Sequence, residues 1–100
     1  MEAKKEVIYR DKAKQAILDI VLYIKREGYP DNAEKFLLRL MGFGYSLALF
    51  PNKYPLCKKL NLAKRNLHCA VFDKNYIFIY KVINKGLVVY NVINASTYNI

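Results

Sequence analysis

Five side chains in the middle of the sequence could move a proton or hold a phosphate group. His68 is the only histidine among the 100 residues, and an imidazole exchanges protons near neutral pH. Lys64 and Arg65 shortly precede it and are cations of the kind that bind phosphate, as are Lys58 and Lys59. The alternative interpretation is a structural histidine on a sheet, with surface cations that are simply solvated. The residues themselves leave both interpretations open.

Aromatic side chains on the predicted strands are a second candidate for nucleic-acid contact. Tyr76, Tyr80 and Tyr90 lie in β-prone segments, and rings on a sheet can stack with bases. Strand alternation places Tyr76, Phe78 and Tyr80 on one face of the sheet. We expect that face to be core or partner interface rather than a platform for bases.

Two cysteines and one histidine are too few ligands for a metal site, so the sequence predicts neither a metal nor a cofactor. The N-terminus lacks the apolar region of a signal peptide, and no apolar run approaches the roughly 20 residues of a membrane helix. The sequence therefore predicts a cytoplasmic protein without a membrane segment. Because thiols stay reduced in the cytosol, we expect no disulfide between Cys57 and Cys69. Cys69 is then a small buried apolar residue in a strand.

The charge of the chain is unevenly distributed. The formal net charge is +9. Residues 1–34 contain seven basic and seven acidic side chains, whereas residues 35–100 contain ten basic side chains and one acidic side chain, Asp73. This asymmetry favours an acidic protein partner or a phosphate backbone as the ligand of the second half. The alternative is a basic surface without a partner.

Helical periodicity organises the first half of the chain. Residues 6–10 form a short β-prone run, and Asp11 is a candidate N-cap for the helix that follows. This first helix ends at Gly28, and a second helix is predicted from Pro30 to the residue before Pro51. The apolar face of the second helix consists of Ala33, Phe36, Leu37, Leu40, Met41, Gly44, Leu47 and Ala48. The short connection between the helices predicts an antiparallel α-hairpin.

The last third of the chain is β-prone. Strands are predicted over residues 66–72, 76–83 and 87–93, with turns at residues 73–75 and 84–86. A basic loop over residues 51–64 precedes them, and a polar tail over residues 94–100 follows. The element order β-α-α-β-β-β predicts one α+β domain over residues 1–100, with the antiparallel helical hairpin on one face of a mostly antiparallel four-stranded sheet. The first strand must then pair with a strand that is distant in sequence.

Three segments, taken in this order, resemble the RelE/ParE toxins of type II toxin–antitoxin systems, with ParE-like members closer. They are Ala48-Leu-Phe-Pro51, Cys57-Lys-Lys-Leu60 and Asn75-Tyr-Ile-Phe-Ile-Tyr-Lys-Val82. The resemblance spans nearly the whole chain and rests on packing patterns rather than on catalytic residues. It implies a toxin that inhibits growth, a role in plasmid stabilisation, and a cognate acidic antitoxin.

The resemblance also implies two mechanisms between which the fold does not decide. RelE-like toxins cut messenger RNA on the ribosome, and ParE-like toxins are associated with poisoning of DNA gyrase. RelE-like members carry an arginine where this chain has Ile77, and an arginine or histidine after the last strand where this chain reads Asn94-Ala-Ser-Thr-Tyr98. Of their acid–base groups, His68 and Tyr98 remain as candidate catalytic residues.

The expected function is therefore that of a ParE-like toxin which binds a cellular target, with DNA gyrase as the candidate. One alternative is a ribosome-dependent messenger-RNA endoribonuclease with a divergent set of Lys64, Arg65, His68 and Tyr98. Another is a non-catalytic interaction module that retains the fold. An acidic antitoxin would add a strand to the sheet edge or a helix to the groove beside the hairpin, and the assembly would be a homodimer or a toxin–antitoxin hetero-oligomer.

Overall fold

Four strands form one mixed sheet in the computed structural model, which describes residues 5–28 and 30–98, with the backbone alone at residues 97 and 98. The strands are β1 (Glu6–Tyr9), β2 (His68–Phe72), β3 (Tyr76–Ile83) and β4 (Gly86–Asn94). Their order across the sheet is β1-β4-β3-β2. The first strand pairs with β4 in parallel, whereas the other two pairings are antiparallel. The predicted pairing of the first strand with a distant strand is thus confirmed.

Two long helices, α1 (Asp11–Arg26) and α2 (Pro30–Leu49), form the predicted hairpin. The expected cap is wrong by one position: Asp11 is the first helical residue, and Arg10 is the N-cap without a side-chain hydrogen bond. The carbonyl of Arg10 already accepts a bond from the Lys14 amide at 2.9 Å, so the helix begins one residue earlier than a side-chain cap at Asp11 would allow. At the other end Gly28 adopts a φ of +90°, which favours glycine.

The helix-facing side of the sheet contains the main core. The predicted face of Tyr76, Phe78 and Tyr80 packs there, and the latter two side chains are fully buried. Rings from α2 and the sheet meet at 5.1 Å in the pairs Phe43–Phe72 and Phe43–Phe78. The expectation that this face is core is confirmed, and burial leaves the Phe78 and Tyr80 rings unavailable to bases.

The opposite side of the sheet contains a smaller core that includes a disulfide. Cys57 and Cys69 are bonded to each other, with 4.9 Å between their Cα atoms, so the expectation of two free thiols is wrong. The cause is local pairing: the Cys57 amide donates to the Leu67 carbonyl at 2.9 Å, and Leu56 forms a bridge with His68. These bonds place the two cysteines side by side, which an argument from cellular compartment does not consider.

Short helices occupy two segments that were expected to be irregular. The loop over residues 51–64 contains α3 (Leu60–Ala63), and the polar tail contains α4 (Ala95–Tyr98). The hairpin between β3 and β4 turns on residues 84 and 85, because Gly86 already belongs to β4. Within the described ranges, no helix has the length and apolar character needed to cross a bilayer.

Candidate functional site

His68, the first candidate catalytic residue, lies at the edge of the sheet on the helix-facing side. Its Nδ1 atom is 2.7 Å from the carbonyl oxygen of Tyr54. A carbonyl oxygen only accepts, so Nδ1 carries the proton and donates it. The imidazole also stacks on the Tyr80 ring, with 5.1 Å between centroids and 17° between planes. The hydrogen bond holds Tyr54, which precedes β2, against the sheet edge, and the stacking joins β2 to β3.

Tyr80, on whose ring His68 stacks, also forms a hydrogen bond with the backbone. Its hydroxyl donates to the carbonyl oxygen of Pro51 at 3.1 Å, across 29 positions of sequence. Burial, with a smaller contribution from nearby Tyr54, raises the pKa of Tyr80 to about 12. The phenol therefore stays neutral at physiological pH and serves as a hydrogen-bond donor.

Arg65 lies on the other side of the sheet, in a cleft that the sequence did not reveal. The cleft has a volume of about 400 Å³ and is lined by Arg10, Asp11, Lys12, Leu62, Arg65, Leu67, Ile79, Tyr90 and Asn91. We call it the arginine cleft. The guanidinium carbon of Arg10 lies 4.7 Å from the centre of the Tyr90 ring, and that of Arg65 lies 5.5 Å from it. One aromatic ring thus positions two cations that are far apart in the sequence.

An irregularity in β4 directs polar side chains into the arginine cleft. The register with β3 shifts between Ile79 and Tyr80, which face Asn91 and Val89 respectively, so Tyr90 is an extra residue. Val89 and Val92 both belong to the helix-facing core, three positions apart. Strict alternation would have turned Asn91 toward that core, and the bulge turns it away instead.

The remaining candidate residues do not assemble into one site. His68 and Arg65 contact opposite sides of the sheet, as their partners Tyr80 and Tyr90 show. Lys64 is the exposed C-cap of α3, Lys59 is its N-cap, and Lys58 is exposed. Among the described residues, none of these three lysines lines the arginine cleft. The side chain of Tyr98 lies outside the described part of the structure.

Arg10, Tyr90 and Asn91 had no predicted role as a group. Arg10 reaches the cleft only because β1 lies beside β4, a pairing over some eighty positions that residue spacing does not show. A signal for the bulge does exist in the sequence. Residues 87, 89, 91 and 93 would share one face of a regular strand, and Asn91 is the polar member of an otherwise apolar set.

A second surface feature is an apolar groove along the helical hairpin. It has a volume of about 300 Å³ and is lined by Tyr9, Lys14, Ile17, Leu18, Val21, Leu37 and Met41. We call it the helical groove. Leu18 is 49% exposed and Met41 is 43% exposed, and Leu22 and Leu38 add exposed apolar surface on the same two helices. Large apolar side chains in such a row indicate a protein-binding surface.

The sheet and the hairpin together define a class of protein. An antiparallel pair of helices on one face of a four-stranded, mostly antiparallel sheet is the RelE/ParE-like arrangement that was predicted, and the structure adds that β1 runs parallel to β4. The family model described as ParE toxin of type II toxin-antitoxin system, parDE, matches residues 7–97, so the chain belongs to the ParE toxin family. It is thus a toxin component of a type II system, and the family implies an antitoxin partner. No curated protein matches the chain.

Proposed function

We propose that this toxin inhibits growth by binding a cellular target, with DNA gyrase as the candidate, and that a cognate acidic antitoxin neutralises it in the cytoplasm. The observation that carries the proposal is the use of the potentially reactive side chains in packing. His68 donates to a backbone carbonyl and stacks on Tyr80. Ile77, at the position of a RelE-like arginine, is 5% exposed within the smaller core. These contacts favour target binding over RNA cleavage.

The helical groove supports the antitoxin half of the proposal. A helix in a groove is a common mode of peptide recognition, in which apolar side chains at helical spacing enter an apolar channel. Leu18 and Met41 supply such a channel, and Lys14 lies at its margin. The net charge of +9 favours an acidic segment as the occupant. The assembly that follows is a toxin–antitoxin hetero-oligomer, with a toxin homodimer as the alternative, and light scattering distinguishes the two.

Induced expression in a bacterial host tests the toxin half. We expect growth arrest with intact messenger RNA and an induced DNA-damage response, together with inhibition of supercoiling by purified gyrase. The variant His68→Gln should remain toxic, because a side-chain amide can still donate to the Tyr54 carbonyl. Rapid message cleavage that disappears in His68→Gln would overturn the proposal in favour of the ribonuclease alternative. Absence of arrest by folded protein would favour the interaction module.

Co-expression with the antitoxin encoded beside the toxin gene tests the groove. Leu18→Glu places a carboxylate in the helical groove, so we expect this variant to remain toxic and to lose neutralisation. Leu60→Glu is the matched control, because Leu60 is 68% exposed on α3 and lies outside the groove. Equal neutralisation of both variants would contradict a binding site in the helical groove.

A further inference from the structure

The arginine cleft lies on the sheet face opposite the helical groove and has no part in the proposed antitoxin contact. We propose that the arginine cleft binds a nucleotide through its phosphate group. The inference does not depend on the target of the toxin. It rests on the charge, the shape and the lining of the cleft.

The first argument is a pair of positioned and unneutralised guanidinium groups. Arg10 and Arg65 both pack on the Tyr90 ring, so their guanidinium carbons are no farther apart than the sum of 4.7 Å and 5.5 Å. Within the described part of the chain neither forms an ion pair, and the ion pair found there joins Arg39 to Asp73 at 3.2 Å. Each guanidinium group therefore has N–H groups that can donate hydrogen bonds to phosphate oxygens. Its planar arrangement of donors matches the spacing of two oxygens of one phosphate.

The second argument is the start of α1 at the wall of the cleft. Asp11 and Lys12, the first two residues of this 16-residue helix, line the cleft. The N-cap Arg10 offers no side-chain acceptor, so its side chain leaves the first amides of the helix open to an anion. Asp11 is the acidic residue of the lining, and its charge partly offsets that of Arg10, Lys12 and Arg65. The cleft retains an excess of cations over this single acid.

The third argument selects a nucleotide over a bare phosphate ion. A volume of about 400 Å³ lies in the range of small-molecule sites and exceeds what one phosphate ion fills. Leu62 is partly exposed beside the cations, with Leu67 and Ile79 buried behind it, and a base can lie against this apolar wall. The Asn91 side-chain oxygen accepts from the Val92 amide at 2.9 Å, which orients its NH₂ group and leaves that group available to the polar edge of a ligand. The bulge that redirects Asn91 is of the kind found beside binding sites.

Titration of the full, ¹⁵N-labelled chain, made by cell-free synthesis, tests the proposal by amide NMR. The probes are the 5′-monophosphates of adenosine, guanosine, cytidine and uridine. At least one should shift the amides of Lys12, Arg65 and Asn91. Arg10→Gln and Arg65→Gln should each raise its Kd by about tenfold or more. Arg26→Gln removes the same charge at the far end of α1, and this control should leave the Kd within about twofold of the original value.

Three further ligands show whether the cleft recognises a whole nucleotide, and whether that nucleotide is free or part of a strand. Adenosine and inorganic phosphate should bind about tenfold or more weakly than the best monophosphate, because each lacks half of the proposed contacts. A short single-stranded oligonucleotide that binds more tightly, shifts the same amides and loses its affinity in Arg65→Gln would assign the nucleotide to a strand. Equal affinity would assign it to a free nucleotide, and both results support the cleft as the site.

Four results would overturn the proposal. They are no shift with any of the four monophosphates, shifts confined to residues outside the cleft, inorganic phosphate binding as tightly as the best monophosphate, and equal weakening by Arg26→Gln and Arg65→Gln. The last would indicate non-specific attraction to a basic protein. Each result is obtained with the isolated chain, so it leaves the outcome of the growth and gyrase experiments unaffected.

Discussion

At the scale of single residues, the hydroxyl of Tyr9 is a polar group in an apolar place. It is buried without a hydrogen-bond partner within the described residues. Burial raises the pKa of this phenol, so it remains neutral and desolvated. It faces the bare Cα of Gly44 on α2, where an added Cβ would collide with it.

We expect Tyr9→Phe to raise the free energy of unfolding by about 1 kcal/mol, because it removes a desolvated donor that has lost its bonds to water. Urea unfolding of the isolated toxin measures this change. Tyr80→Phe is the matched control: it removes a hydroxyl that does donate, to Pro51 at 3.1 Å, and should lower stability by about 1 kcal/mol. A loss of stability in Tyr9→Phe as large as that in Tyr80→Phe would contradict the absence of a partner for Tyr9.

Gly86 is the residue at which the parallel strand comes closest. Its φ is +155°, and it lies opposite Glu6 in the register of β1 and β4. A Cβ at this position would lie 2.7 Å from the Glu6 nitrogen and 2.8 Å from its carbonyl carbon. Glycine is therefore required by both the backbone conformation and the neighbouring strand.

Gly86→Ala should lower the free energy of unfolding by roughly 2–4 kcal/mol, since both backbone strain and displacement of β1 contribute. The matched control is Gly42→Ala on α2, where an added Cβ has nothing within 4 Å. That variant should gain up to about 1 kcal/mol from helix propensity. Thermal unfolding of both variants measures the difference in stability. Similar melting temperatures would show that β1 can move away from position 86 at little cost in stability.

At the scale of elements, the disulfide fastens the segment over residues 51–67 to the sheet. Cys57 and Cys69 are separated by 12 positions, and their bond lies in the smaller core with Leu67, Ile77 and Ile79. Arg65 is inside the closed loop, so the bond also restricts one wall of the arginine cleft. A loop of this length gains about 3 kcal/mol from the bond in the chain-entropy description.

We expect the double variant Cys57→Ala/Cys69→Ala to lose about 2–3 kcal/mol of unfolding free energy. The original chain treated with a reductant should lose a similar amount, and a thiol assay before reduction should find no free cysteine. Alanine is preferred to serine because a hydroxyl would enter an apolar cluster. Equal stability of the oxidised and reduced chains would show that pairing of the neighbouring backbone alone holds the segment.

The elements were more accessible to sequence reasoning than the sites that they build. Periodicity of three to four defined both helices, and the span of β3 over Tyr76–Ile83 matches the β-prone run residue for residue. Those signals are local, because each depends on neighbours within one turn or one strand. The disulfide and the arginine cleft depend on contacts between segments far apart in sequence. Arg10 meets Tyr90 only after β1 has crossed to β4, so no local pattern could predict that contact.

A similar limit applies to His68, because its residue type does not show what surrounds it. Its type allows acid–base work, and its contact with the Tyr54 carbonyl and its stacking on Tyr80 are also those of a packed histidine, so the catalytic role of His68 stays a prediction. The bulge at Tyr90 is an intermediate case. Asn91 is the polar residue in an alternating set of β4 that is otherwise apolar, which indicates an irregular strand. The sequence does not show which neighbouring residue forms the bulge.

At the scale of the whole molecule, we expect the net charge and the exposed apolar surface to act at different steps of binding to the antitoxin. The net charge of +9 acts over distances of about a Debye length, roughly 10 Å at 0.1 M salt, and therefore during approach. The helical groove acts only on contact, through the burial of exposed side chains such as Leu18 and Met41. The rate of association and the lifetime of the complex should thus respond to different changes.

Surface plasmon resonance with the antitoxin as ligand separates the two effects. Raising the salt from about 0.05 to about 0.5 M should slow association by tenfold or more and change dissociation much less. Leu18→Ala should do the reverse, with dissociation faster by about tenfold and association nearly unchanged, because it removes apolar contact without removing charge. Leu60→Ala is the control on α3 and should alter neither rate. If salt acted mainly on dissociation, the affinity would depend on buried ion pairs rather than on the apolar groove, and the proposed docking of an amphipathic helix would be wrong.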